Sequence, residues 1–162
     1  MRLGFFTACL PGLALEDIAA WAAGHGFDAL EVAAWPAAGD RSFTASHLDA
    51  AGLDDAEAER VRGLFDRHGL TLSSLGYYDN PLHPDPAVRA ATAEHLHACI
   101  DAAARLGCPT VGTFVGRHPG RTVAENLRDA EVVFKPLVDR AGERGVKLLI
   151  ENCVKEGWHP DG

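Results

Sequence analysis

Several classes of chemistry are missing from these 162 residues. No stretch approaches the roughly 18 consecutive apolar residues of a membrane span. The first nine residues lack a basic region followed by an apolar run, so they do not read as a secretory leader. The four cysteines, Cys9, Cys99, Cys108 and Cys153, form no C-x-x-C pair and have no zinc-finger spacing. Reduced thiols in a cytoplasmic protein are the expectation. Positive charge is scarce: Lys and Arg total 15 against 23 Asp and Glu, a net charge of −8. A nucleic-acid binder needs a basic face, so none is expected as a partner. There is no G-x-S-x-G elbow and no H-E-x-x-H pair. The first turn, Ala8-Cys9-Leu10-Pro11-Gly12-Leu13, has neither a dinucleotide-binding glycine pattern nor a phosphate loop.

What remains is a mixed chain, 47% apolar and 23% charged, long enough for one domain with a real core. Its pattern alternates. Leu3 to Thr7, Ala29 to Val32, Leu70 to Tyr77, Thr110 to Val115 and Val146 to Glu151 read as strands. Leu15 to Ala23 reads as a helix stopped by Gly24 and Gly26. Asp54 to His68 opens with acids and ends at Gly69. Asp85 caps a third helix with Pro86 in its first turn and an apolar stripe of Leu96, Cys99, Ile100 and Ala103. Thr122 and Glu125 form a capping box for a fourth helix. There Leu127, Ala130, Phe134, Leu137 and Val138 are expected to face inward, and Pro136 to kink or split the helix near Phe134.

Strand–helix units repeated in strict order imply a parallel sheet with right-handed crossovers. Four units occupy roughly 145 residues, so eight would need roughly 290, the size of a (β/α)8 barrel. The expectation is an α/β chain forming part of a (β/α)8 TIM barrel: five parallel strands and four helices, an open half-barrel in one domain over residues 1–162. Turns after helices are short. Turns after strands are long, with Ala33 to Leu53 and Tyr78 to Pro84 the clearest, and they gather where barrel enzymes keep their sites.

Glu151 is the leading functional candidate. It ends the apolar run Leu148-Leu149-Ile150, so a buried strand is expected to deliver a carboxylate. A divalent cation would hold that carboxylate ionised; pairing with a Lys or Arg, or capping a helix, would serve equally. Glu31 closes the second strand and reads either as a polar residue in the barrel lumen or as a strand-end salt bridge. Trp35, His47 and Asp49 lie in the loop after strand two. Tyr77, Asn80 and His83 follow strand three, and Arg117 and His118 follow strand four. Glu156, Trp158 and His159 follow strand five, where the indole could stack on a sugar ring. His25, His68, His95 and His97 lie on helices or at their ends and read as structural.

Three segments resemble the sugar phosphate isomerase/epimerase family of xylose isomerase-like barrels. They are Gly26-Phe27-Asp28-Ala29-Leu30-Glu31, Tyr78-Asp79-Asn80-Pro81-Leu82-His83-Pro84-Asp85-Pro86, and Ile150-Glu151-Asn152-Cys153 with Gly157-Trp158. The resemblance implies a metal-dependent proton transfer next to a carbonyl, with Glu151 as ligand and acid–base group. It implies Mn²⁺, Mg²⁺ or Co²⁺ as cofactor and a sugar or sugar phosphate as substrate. The remaining ligands, an Asp, a His and a second Glu, would come from strands six to eight. Substrate-binding roles fall to Glu31, Trp35, Tyr77, His83, His118, Glu156, Trp158 and His159. Alternatives are an apurinic endonuclease, suggested by His118-Pro119-Gly120, and a polyol dehydratase. A non-catalytic half-barrel, joined to a second copy or to its missing C-terminal half, is a further one.

Overall fold

The computed structural model describes residues 1–36 and 45–151. Five strands, β1 (Gly4–Phe6), β2 (Ala29–Ala33), β3 (Thr71–Gly76), β4 (Thr110–Phe114) and β5 (Lys147–Glu151), lie side by side in chain order. Every pairing is parallel. Helices α1 (Leu15–Gly24), α2 (Asp55–His68), α3 (Pro86–Leu106) and α4 (Val123–Arg144) connect them, and a short 3-10 turn (Thr7–Cys9) follows β1. The expected open α/β arrangement is present.

Local chemistry sets the helix ends. Asp54 accepts the Glu57 N–H at 2.8 Å, and Asp85 accepts the Ala87 N–H at 2.8 Å. The reciprocal box of Thr122 and Glu125 closes the start of α4. These bonds satisfy amide groups that the first helical turn leaves unpaired.

The core lies between sheet and helices. Leu30, Val32, Leu75 and Val111 point from the strands into a layer with Ile18, Val61, Leu64, Leu96, Ile100 and Leu137. Alternation along each strand sends the neighbouring positions to the other face. Asp101 on α3 receives Arg140 and Arg144 of α4, the closest contact being 2.7 Å. These side chains are partly exposed, so solvent screens the pairing and it adds little to stability.

Three expectations are corrected. β5 is not buried: Leu149 and Ile150 are 48% and 53% exposed, and Glu151 is exposed. It pairs with β4 on one side only among the described residues, so the apolar run sits on an open edge. Helix α4 buries Asn126, Phe134, Leu137 and Ala141, whereas Leu127 and Val138 are 63% and 54% exposed. The true stripe follows a 3.6-residue period through those four positions. Finally, α4 runs unbroken from Val123 to Arg144 through Pro136. Phe134 and Leu137, buried on either side of the proline, hold the helix on the sheet where its own hydrogen bonding is weakened.

That difference between neighbouring leucines is measurable. Leu137→Ala should lower the unfolding free energy by about 2–5 kcal/mol. Leu127→Ala should change it by no more than about 0.5 kcal/mol. Denaturant titration followed by circular dichroism checks both.

Candidate functional site

Parallel strands place all their C-terminal ends at one rim. On the face away from the helices, that rim carries an acidic group in an aromatic frame. Glu31, near the end of β2, accepts the Tyr78 hydroxyl hydrogen through Oε1 at 2.6 Å. The Tyr78 ring meets Phe6 edge-on at 5.4 Å and Phe114 at 5.0 Å. Trp35 lies 5.8 Å from Phe6 and 6.2 Å from Tyr78.

Two glycines make room for this arrangement. A Cβ on Gly76 would lie 2.8 Å from Glu31 Oε1 and 2.6 Å from the Phe6 ring. A Cβ on Gly112 would collide with the Tyr78 hydroxyl and lie 3.1 Å from Glu31 Oε1. Gly76 and Gly112 pair across β3 and β4. The backbone of both strands is therefore bare under the carboxylate.

Burial pushes the Glu31 carboxyl above its ordinary range. The Tyr78 hydrogen bond opposes that shift, and the negative charge of Glu151 adds to it. Desolvation raises the Tyr78 phenol, and the neighbouring Glu31 carboxylate raises it further. Glu151 also acts on Tyr78, so both carboxylates share one electrostatic environment at the ends of β2 and β5.

The loops above the rim are pinned by side chains. Asn80 Oδ1 accepts the N–H groups of Leu82 (3.1 Å) and Arg117 (2.7 Å), and its Nδ2 donates to the Arg117 carbonyl at 2.8 Å. Gly116, at φ 79°, leaves no room for a side chain beside Asn80. Asn126 grips the next residue: it accepts the His118 N–H at 2.7 Å and donates to the His118 carbonyl at 3.2 Å. His83 and His118 stand in matching His-Pro turns. Each Nδ1 accepts a backbone N–H two residues on, from Asp85 and Gly120, at 3.1 Å. In the neutral ring the proton then sits on Nε2.

His47 joins two loops. Its Nε2 faces the Leu10 carbonyl at 3.2 Å and therefore donates, so Nδ1 accepts from Thr7 Oγ1 at 2.9 Å. Thr7 Oγ1 in turn accepts the Ala33 N–H at 2.9 Å. Burial lowers the His47 pKa, in keeping with a neutral ring. Asp49 accepts the Gly52 N–H at 3.1 Å and shapes a turn. Buried His95 approaches the Ala34 carbonyl at 2.7 Å.

The structure thus brings Glu31, Trp35 and Glu151 to one rim. Tyr77 does not meet Glu31: its buried ring packs edge-on against His95 at 4.5 Å, on the α3 side, and against Trp35 at 6.1 Å behind the rim. The neighbouring Tyr78 faces Glu31 and was not among the candidates. Alternation could have distinguished the two tyrosines, but the register between β2 and β3 shifts at Leu30/Glu31 and defeats a simple count. Thr7 and Asn126 were also missed, since each acts through hydrogen bonds that no motif announces. Glu156, Trp158 and His159 lie outside the described residues.

Two carboxylates suit a hard divalent cation. Among the described residues, however, no three His, Cys, Asp or Glu side chains converge as a metal would require. No helix among them is long and apolar enough to cross a membrane.

Comparison with known proteins adds three findings. The sequence family described as "Xylose isomerase-like TIM barrel" matches residues 19–162. A curated relative from Haloarcula marismortui, "Probable endonuclease 4", is 32% identical over 107 residues, 65% of this chain and 38% of that protein. Among solved structures, a D-psicose 3-epimerase determined in the presence of D-fructose superposes with a TM-score of 0.72 at 23% identity, over 98% of this chain and 55% of that one. The IOLI protein with a bound zinc atom gives 0.66 at 18% identity, over 93% of this chain and 51% of that one. The chain spans about half the length of these solved structures and 38% of the curated relative.

The raised Glu31 carboxyl has a signed consequence. The folded state holds this proton to higher pH than the unfolded chain does. Its contribution to stability is therefore full below the ordinary carboxylate range and is lost as pH rises through the raised value. Glu31→Gln should raise the thermal midpoint at neutral pH and remove that part of the decline. Melting curves across the acidic range check the sign.

Proposed function

We propose that this chain, which belongs to the xylose isomerase-like TIM-barrel family, carries part of a metal-dependent sugar isomerase or epimerase site. One observation carries the reading. The described rim joins two carboxylates, Glu31 and Glu151, to a frame of Phe6, Trp35, Tyr78 and Phe114. Aromatic faces and carboxylates together suit a polyhydroxylated carbonyl compound: ring faces take C–H surfaces, and carboxylates take hydroxyl hydrogens.

Such a substrate is isomerised by moving a proton at the carbon beside its carbonyl. A bound divalent cation, Mn²⁺, Mg²⁺ or Co²⁺, would stabilise the enediolate charge that develops. Glu151 is the described residue suited to the ligand and proton-carrying roles: it stands at a strand end, exposed toward the rim. Glu31, anchored by Tyr78, binds and orients hydroxyls. His83 and His118 present Nε2–H donors on fixed loops. Glu156, Trp158 and His159, in the segment after β5, are proposed substrate contacts as well. The further ligands belong to the part of the barrel that the relatives have and this chain does not span, so catalysis is a property of the whole protein.

A second reading follows from the endonuclease-named relative. His118-Pro119-Gly120 is compatible with it, while the net charge of −8 opposes a nucleic-acid partner.

In the full-length protein, Glu151→Gln should lower metal-dependent ketose interconversion by about 10²–10⁴-fold with little change in circular dichroism. Near-normal turnover removes Glu151 from the mechanism. Salt-sensitive binding of DNA containing an abasic site, without sugar turnover, selects the endonuclease reading.

A further inference from the structure

We propose that Tyr78 is a positioning residue that sets the Glu31 carboxylate to accept a hydroxyl hydrogen from an uncharged part of the substrate. This deepens the isomerase reading and rests on it. The Tyr78 hydroxyl, 2.6 Å from Oε1, is the one hydrogen-bond donor that Glu31 has among the described residues. A carboxylate offers about four acceptor directions, so most of its capacity is open to a ligand. The carboxylate also cannot drop into the sheet. Gly76 and Gly112 bring bare backbone up beneath it, and a Cβ on either would lie within 2.8 or 3.1 Å of Oε1. The floor is thus fixed by two strands and one edge by the phenol.

The surroundings select the ligand class. Phe6, Trp35, Tyr78 and Phe114 supply ring surface around the carboxylate. A phosphate placed here would meet the like charge of the Glu31 carboxylate inside an aromatic frame, whereas a hydroxyl meets an open acceptor. The part of the substrate read at Glu31 is therefore a neutral polyol segment. Tyr78 itself needs no contact with the substrate. It acts by removing the rotational freedom of Glu31, so that binding does not have to.

The test uses the full-length protein and D-fructose, with its monodeoxy analogues, as calorimetric probes. Tyr78→Phe keeps the ring contacts and loses the donor. It should weaken D-fructose binding by up to about tenfold, the cost of ordering one freed side chain on binding. One monodeoxy analogue should lose a similar factor on the wild type and little more on the variant, the coupling expected when hydroxyl and phenol act through the same carboxylate. Gly112→Ala, which displaces the phenol, should have the same effect as Tyr78→Phe. Should either variant fold poorly, Glu31→Gln serves, since its amide oxygen still accepts from Tyr78; it too should weaken D-fructose. Wild-type affinity in the folded variants, or additive losses with every analogue, overturns the proposal. Absence of D-fructose binding to the wild type overturns it as well. Hydroxyl discrimination that depends on Tyr78, in a protein that interconverts no sugar, would leave this proposal standing and refute the isomerase reading alone.

Discussion

Parallel pairing of the five strands is the constraint on which everything else depends. Parallel neighbours cannot be joined by tight hairpins, so each connection crosses over through a helix. With right-handed crossovers between strands in chain order, all four helices fall on one face and every strand C-terminus at one rim. Residues far apart in sequence, such as Glu31, Tyr78 and Glu151, become neighbours there because they occupy equivalent strand ends. The hydrophobic layer under the helices supplies most of the stabilisation, and the opposite face is left to polar and aromatic groups.

That opposite face is assembled by subtraction as much as by placement. Side chains on β3 and β4 would fill the space that Glu31 and Tyr78 occupy, and glycine at 76 and 112 keeps it open. Burial in this slot works against the charged form of Glu31, while Tyr78 works for it. The loops follow the same logic. Asn80 and Asn126 clamp Arg117 and His118 by their backbone groups.

Much of the fold was legible in local patterns. Caps at Asp85 and Thr122 mark helix starts because unpaired amides need acceptors close in sequence, whatever the tertiary context. The order of strands and helices followed from periodicity, and the barrel-type architecture shared with the epimerase structure from that order and the length of each unit. Solvent exposure was less legible. The run Leu148-Leu149-Ile150 is apolar enough for a buried strand, yet it lies at an open edge, because apolarity reports what a strand can tolerate and not which neighbour covers it. Leu127 and Val138 misled for a similar reason: two apolar stripes fit the sequence of α4, and only docking on the sheet selected one.

By itself, the sequence determined the element order, the helix caps, the parallel topology and the presence of carboxylates at strand ends. Each of these depends on residues close together in the chain. Tertiary structure alone decided which of two adjacent tyrosines meets Glu31, how the register shift between β2 and β3 turns it, and why residues 76 and 112 are glycine. These depend on distances between strands, where a displacement of one residue reverses the face on which a side chain appears.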